Sequence, residues 1–242
     1  MTKGRCFMDY TAKDLIHGQC IAHRGFFKKG VPENSAESIR LAVEHGLDIE
    51  IDVHRCMDGS FAVAHDFTLF RNCGIPWVLC CLSRKAFGKT RLLGSDKKEC
   101  IPSLEEVLEI VDGKVTIFLE AKVLTSPKKY CRDLEKVLQN YKGKVLIHGL
   151  HLGVLRYFQS KGYPTALLCV KARKEKNGFK PEAINAKLSG LPVEDKENFP
   201  LIMGWTVRDS KSLEKCAKVA DCAVVDTQHF DVETLKKGIR NA

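Results

Sequence analysis

The chain predicts an α/β fold, a (β/α)8 TIM barrel with a small inserted segment after strand 3, and three observations support this. Short apolar runs alternate with segments of helical period along nearly the whole chain. Eight such runs occur in 242 residues, and a closed barrel of eight parallel strands ordinarily takes about 250 residues. No internal repeat, low-complexity tract or linker interrupts them, so residues 1–242 are expected to form a single domain.

The predicted strands are Cys20 to His23, Leu47 to Val53, Ser60 to His65, Val115 to Lys122, Val145 to His148, Thr165 to Val170, Leu201 to Val207 and Cys222 to Asp226. Ser35 heads a helix over Ala36 to His45, the Ser103-x-x-Glu106 capping box heads one running to Val111, and Pro127 precedes one over Lys128 to Tyr141. Further helices are expected over His151 to Lys161, Pro181 to Leu188, Ser210 to Val219 and Asp231 to Arg240. Two places depart from a regular alternation. The connection Cys56-Met57-Asp58-Gly59 is too short for a helix. The roughly 35 residues from Asp66 to Ile101 carry no clear period, which in a compact domain marks an excursion over one barrel end, here a cap at about 66–101.

Composition narrows the function classes. With 39 Lys plus Arg against 30 Asp plus Glu, the net charge of +9 favours anionic partners such as phosphate esters, nucleic acid or an acidic membrane surface. Nucleic acid is not expected, because interleaved aromatics and a reading module are missing. The short basic runs, such as Lys28-Lys29 and Lys128-Lys129, read as solvated helix ends and loops. Eleven cysteines form neither a zinc spacing nor a disulfide framework and are expected to be reduced thiols. Residues Met1 to Gln19 do not read as a signal peptide, and no apolar stretch reaches about 18 residues. A cytoplasmic protein without stable membrane insertion is the expectation, and oligomeric state is left open.

Charged residues gather at the ends of apolar strands. Strand one closes with His23-Arg24-Gly25, strand two carries Glu50-Ile-Asp52, strand three closes with His65-Asp66, and strand four closes with Glu120-Ala-Lys122. In a parallel barrel these C-terminal ends share one face, where barrel enzymes place their chemistry. Glu50 and Asp52 stand two apart and point to one side, while Ile49, Ile51 and Val53 point to the other. With Glu120 they offer three carboxylates, an all-oxygen set suited to Mg²⁺ or Ca²⁺ rather than zinc. His23 and His65 titrate near neutrality and can act as acid and base. Arg24 and Lys122 can grip phosphate oxygens or neutralise the carboxylates.

Seven ordered motifs carry a resemblance: Ala22-His-Arg-Gly25, Pro32-Glu-Asn-Ser35, Glu50-Ile-Asp-Val53, His65-Asp66, Ile101-Pro-Ser-Leu-Glu-Glu106, Glu120-x-Lys122 and Trp205-Thr-Val207. Together, from about residue 20 to 226, they resemble the glycerophosphodiester phosphodiesterase family. The resemblance implies a (β/α)8 barrel that hydrolyses glycerophosphodiesters to glycerol 3-phosphate and an alcohol with Mg²⁺ or Ca²⁺. It makes His23 and His65 the acid and base, Glu50, Asp52 and Glu120 the metal ligands, and Arg24 and Lys122 phosphate contacts. Asn34 is expected to brace its loop, Glu33 to lie near His23 or the metal, and Trp205 to pack against the glycerol backbone. The sequence departs from the family at Gly149-Leu150-His151 and at Val225-Asp226-Thr227-Gln228, departures expected to reshape the pocket beyond the phosphate. Rival readings are a sphingomyelinase D type phospholipase acting on lysophospholipids and a catalytically silent phosphometabolite-binding protein.

Overall fold

The computed structural model describes residues 9–191 and 196–239. Residues 1–8, the expected helix end at Arg240 and both expected domain limits lie outside the described residues. Among the described residues nine strands form: β1 Cys20–His23, β2 Ile49–Arg55, β3 Phe61–Val63, β4 Ile117–Lys122, β5 Val145–Gly149, β6 Thr165–Cys169, β7 Ala183–Lys187, β8 Leu201–Val207 and β9 Cys222–Val225. Eight of them, all but β3, pair in parallel in the order β1-β2-β4-β5-β6-β7-β8-β9, and β9 returns to β1, which closes the barrel. Around it lie α1 Ala12–Leu15, α2 Ala36–Glu44, α3 Phe70–Cys73, α4 Arg84–Phe87, α5 Leu104–Val111, α6 Pro127–Leu138, α7 Leu152–Ser160, α8 Ser210–Val219 and α9 Val232–Lys237. No helix among the described residues is long and apolar enough to cross a membrane.

Two sequence assignments are corrected here, and they offset one another in the strand count. The predicted third strand is not a barrel strand: β3 runs antiparallel to β2, with Val63 opposite Val53, outside the ring. A connection of Cys56 to Ser60 permits only a hairpin, because a parallel return needs a crossover of a dozen or more residues. The predicted helix over Pro181 to Leu188 is strand β7. Its helix-favouring Ala, Glu and Lys content is overridden by the vacancy between β6 and β8, which only a strand can fill with backbone hydrogen bonds.

Strand parity divides the core. Outward residues such as Ala22, Ile49, Ile51, Leu119, Ile147 and Ile184 meet the helices in one apolar layer. Inward residues Ile21, Phe118, Leu146, Ala183, Met203 and Val224 fill the lower barrel. Ala12, Leu15 and Ile16 join that inner cluster from below, so α1 plugs the barrel floor. The Tyr10 hydroxyl accepts from the Val145 backbone N–H at 3.0 Å and fastens the plug. The segment after β3 has a small core of its own, built on Leu69, Leu79, Phe87, Leu92 and Ile101 over Ala62 and Ala64.

The ten described cysteines are all free. Burial pushes the thiols of Cys20, Cys56 and Cys216 up to about 12, well above the ordinary thiol value. A group whose pKa is raised on folding stabilises the fold below its unfolded value and loses that contribution as pH climbs towards the folded one. The urea midpoint is therefore expected to hold near neutrality and fall from about pH 9 towards 12, each thiol contributing on the order of 1.4 kcal/mol per pH unit. A Cys20→Ala/Cys216→Ala variant should show a shallower alkaline decline, and a decline as steep as the parent's would refute the thiols' part in it.

Candidate active site

At the upper end of the barrel the inward stripe changes from apolar to polar, one strand after another. Ile21 gives way to His23, Phe118 to Glu120, Leu146 to His148, Ala183 to Asn185, and Val224 to Asp226, each two residues on, and Lys122 follows Glu120 by a further two. Adjacent to this stripe, β2 supplies Glu50 and Asp52, both buried. Ligand oxygens of Glu50, Asp52 and Glu120 lie within 4.8 Å of one another.

Charge crowding dominates this cluster. Burial, then Asp52 and Glu120, push Glu50 well above the carboxylate range. Burial and Asp52 push Glu120 up to about 7, against the pull of Lys122. At Asp52 burial acts in the same direction, but Lys122 and Arg24 outweigh it and hold the group far below its ordinary value. Lys122 Nζ stands 3.1 Å from Asp52 Oδ1 and 2.7 Å from Glu120 Oε1. Two of the three carboxylates are thus disfavoured as anions without a further positive charge. The all-oxygen donor set and its spacing fit a hard divalent cation, whose ligand distances of about 2.0–2.6 Å span such a cluster.

The loop after β1 wraps the same cluster. Arg24 and Gly25 have φ of 59° and 79°, and a Cβ at position 25 would stand 2.6 Å from Ser38 Oγ, so this tight reversal needs glycine. The reversal aims the Arg24 backbone N–H at Glu50 Oε2, 3.3 Å away. The Arg24 side chain donates to both Glu33 oxygens at 3.0 and 2.9 Å and lies 3.3 Å from Asp52 Oδ2. Glu33 also accepts from Arg71 at 2.6 Å, so it serves the two arginines and is not hydrogen-bonded to His23. The Asn34 amide donates to Asp52 Oδ2 at 2.9 Å, bracing a carboxylate of the cluster as well as its own loop.

Both histidines are held in the same way. His23 Nδ1 is 2.5 Å from Asp226 Oδ1, and Asp226 Oδ2 accepts from Arg208 Nε at 2.6 Å. His65 Nδ1 is 2.6 Å from Asp66 Oδ1, and Asp66 Oδ2 accepts from Arg71 Nε at 2.6 Å. Burial opposes ionisation of both aspartates, yet their histidine and arginine partners keep each below the ordinary range. An ionised carboxylate only accepts, so each Nδ1 carries a proton, which leaves Nε2 as the ring nitrogen that can give or take one. His23 Nε2 is 3.9 Å from Glu50 Oε2. Burial, with Arg24 and Lys122, lowers the His65 pKa against the pull of Asp52. His65 reaches the mouth by the hairpin: the Ala64 N–H donates to the Asp52 carbonyl at 3.0 Å and sets the next side chain over the cluster.

Three residues of this neighbourhood escaped the sequence reading. Asp226, His148 and Asn185 all follow the same two-residue step from an inward apolar residue, and that step was a usable signal once the strands were assigned. His148 is fully buried, with Nδ1 3.3 Å from the Asn185 amide and Nε2 3.6 Å from Glu50 Oε1. Burial pushes its pKa down to about 3, so the neutral ring forms a polar contact with Glu50 and no ion pair. Trp205 is partly buried against the inner cluster and donates its indole N–H to the Asn185 carbonyl at 3.0 Å, beside the site.

The profile of the glycerophosphoryl diester phosphodiesterase family matches residues 23–177, more than half of the chain. The chain belongs to this family. A glycerophosphodiester phosphodiesterase of Bacillus altitudinis is 31% identical over 147 residues, which span 57% of this chain and 60% of that relative. A phosphodiesterase of Oleispira antarctica, solved with its product sn-glycerol-3-phosphate, superposes with a TM-score of 0.83 at 19% identity, covering 95% of this chain and 100% of that one. A glycerophosphodiester phosphodiesterase of Parabacteroides distasonis gives 0.76 at 20% identity over 90% and 96%. These structural likenesses show the family's barrel, and the matched span from residue 23 to 177 contains His23, Glu50, Asp52, Glu120, Lys122 and His148 along with the hairpin that carries His65.

Proposed function

We propose that this member of the family is a metal-dependent phosphodiesterase that hydrolyses glycerophosphodiesters to glycerol 3-phosphate and an alcohol, working as one barrel domain. The observation that carries the reading is the convergence of two histidines, each with Nδ1 fixed by an aspartate, on one buried carboxylate cluster. Glu50, Asp52 and Glu120 hold the divalent cation, Mg²⁺ or Ca²⁺, which when bound supplies Lewis-acid polarisation of the phosphate. Arg24 and Lys122 balance the carboxylates and face the incoming phosphodiester with positive charge. One of His23 and His65 removes a proton from the attacking hydroxyl at Nε2, and the other, protonated, gives one to the leaving alkoxide. Trp205 packs beside the glycerol moiety. Ten thiols free of disulfides accord with a reducing compartment, the cytoplasm.

The positioning of His23 by Asp226 yields an expected result. Asp226→Asn removes the charge that fixes the ring's tautomer, and should lower kcat by about 10- to 10³-fold with KM little changed. Full turnover, or a loss confined to KM, would remove Asp226 from the account. The reading as a whole is tested with a panel of glycerophosphodiesters and lysophospholipids assayed with Mg²⁺, Ca²⁺ and Mn²⁺. Glycerol 3-phosphate from glycerophosphocholine or glycerophosphoethanolamine supports it, whereas alcohol release from lysophospholipids alone would move the chain to the phospholipase reading.

A further inference from the structure

The large apolar side chains left exposed are distributed unevenly over the described residues. Met57 lies two residues beyond β2, Leu124 two beyond β4, Leu150 one beyond β5 and Val170 one beyond β6, while Phe70 and Trp77 stand in the segment after β3. The first four are on connections that leave the C-terminal ends of barrel strands, at the mouth of the site, and the other two are in the segment that follows the β2–β3 hairpin. Single exposed apolar residues are ordinary on any surface, but their restriction to one face marks a contact surface. The opposite face, where the strands begin, has charged residues such as Asp112, Lys114 and Lys142, and among the described residues no large apolar side chain is exposed there.

Charge identifies the partner. The same connections carry exposed lysines, Lys28 and Lys29 after β1, Lys128 and Lys129 after β4, and Lys171 and Lys174 after β6. Among the described residues none of the six is ion-paired, and the connection from Val123 to Pro127 contains no acidic residue. Lysines spread around an apolar rim match a laterally uniform anionic plane, whereas a second copy of the chain would present the same lysines to them and be repelled. We propose that the mouth face docks reversibly on an anionic lipid bilayer, the apolar side chains entering the headgroup boundary and the lysines meeting anionic headgroups. The site then opens towards the surface, and this inference goes beyond the hydrolytic reading because it holds whichever phosphodiester is cleaved.

Co-sedimentation with sucrose-loaded vesicles tests it, comparing phosphatidylcholine alone with phosphatidylcholine mixed with phosphatidylglycerol. Binding to the anionic vesicles should be at least about tenfold tighter and should weaken as salt is raised. Leu124→Asp/Leu150→Asp should weaken it by about tenfold or more, as should Lys128→Glu/Lys171→Glu, while Lys142→Glu on the opposite face should bind like the parent. These sites are exposed, so unfolding midpoints should be unchanged. Failure to sediment with anionic vesicles at low salt overturns the proposal, and so does undiminished binding by the Leu124→Asp/Leu150→Asp variant, which would mean adsorption by charge alone. Turnover of a water-soluble glycerophosphodiester is read separately: vesicle binding without turnover would count against the hydrolytic reading and leave the docking surface standing.

Discussion

Replacing either His23 or His65 with alanine is expected to lower glycerophosphodiester turnover by about 10²- to 10⁴-fold, the range that a positioned general acid or base contributes. Neither ring belongs to the apolar core, so circular dichroism and the unfolding midpoint should stay near those of the parent. The two variants should separate on a substrate with an aryl leaving group. An aryl oxide departs without being protonated, so the variant that has lost the acid recovers much of its rate and the variant that has lost the base does not. Such a comparison assigns the two roles, which the symmetric His23–Asp226 and His65–Asp66 pairs leave equivalent. Full turnover by either variant on an alkyl diester would contradict the assignment. The double variant should cost little more than the worse single one, because two groups acting in one step do not contribute independently.

Glu50→Gln is expected to separate stability from function. In the metal-free protein burial, Asp52 and Glu120 all disfavour the Glu50 anion, so folding carries an electrostatic cost that a neutral amide of the same shape removes. The metal-free variant should unfold at a temperature equal to or above that of the parent. Its response to Mg²⁺ or Ca²⁺ should be largely lost, whereas the parent should gain about 2.7 kcal/mol when the ion is present at a hundred times its dissociation constant. Turnover should fall with the ion response. A Glu50→Gln protein that is destabilised without metal yet stabilised by ions like the parent would place the cation elsewhere.

The comparison of sequence and structure turns on what a period can and cannot reveal. The pair Glu50 and Asp52 was legible because the alternation of Ile49, Ile51 and Val53 fixed which side the carboxylates take, and Glu120 followed by the same rule. His65 is legible at the mouth although its strand, expected in the ring, lies outside it: the Cys56 to Ser60 hairpin returns the chain to the level of Asp52, so the end of β3 and the mouth coincide. Strand β7 was missed because Ala-Ile-Asn-Ala satisfies a helix as readily as a strand of five residues, and only the closure of the barrel decides between them. The arginines behind Asp226 and Asp66 were illegible for a different reason. Arg208 lies just beyond β8 and Arg71 in the four-residue helix α3, and nothing in local sequence tells an arginine that pairs with a histidine-bound aspartate from one that faces solvent.

The most direct test of the central claim is the release of glycerol 3-phosphate from glycerophosphocholine by protein stripped with chelator and then given back a divalent ion. The account expects no release after stripping, recovery with Mg²⁺ or Ca²⁺, and no recovery in Glu50→Gln under the same ion. Release that chelation leaves undiminished, or stripped protein that no divalent ion restores, would contradict a metal held by Glu50, Asp52 and Glu120.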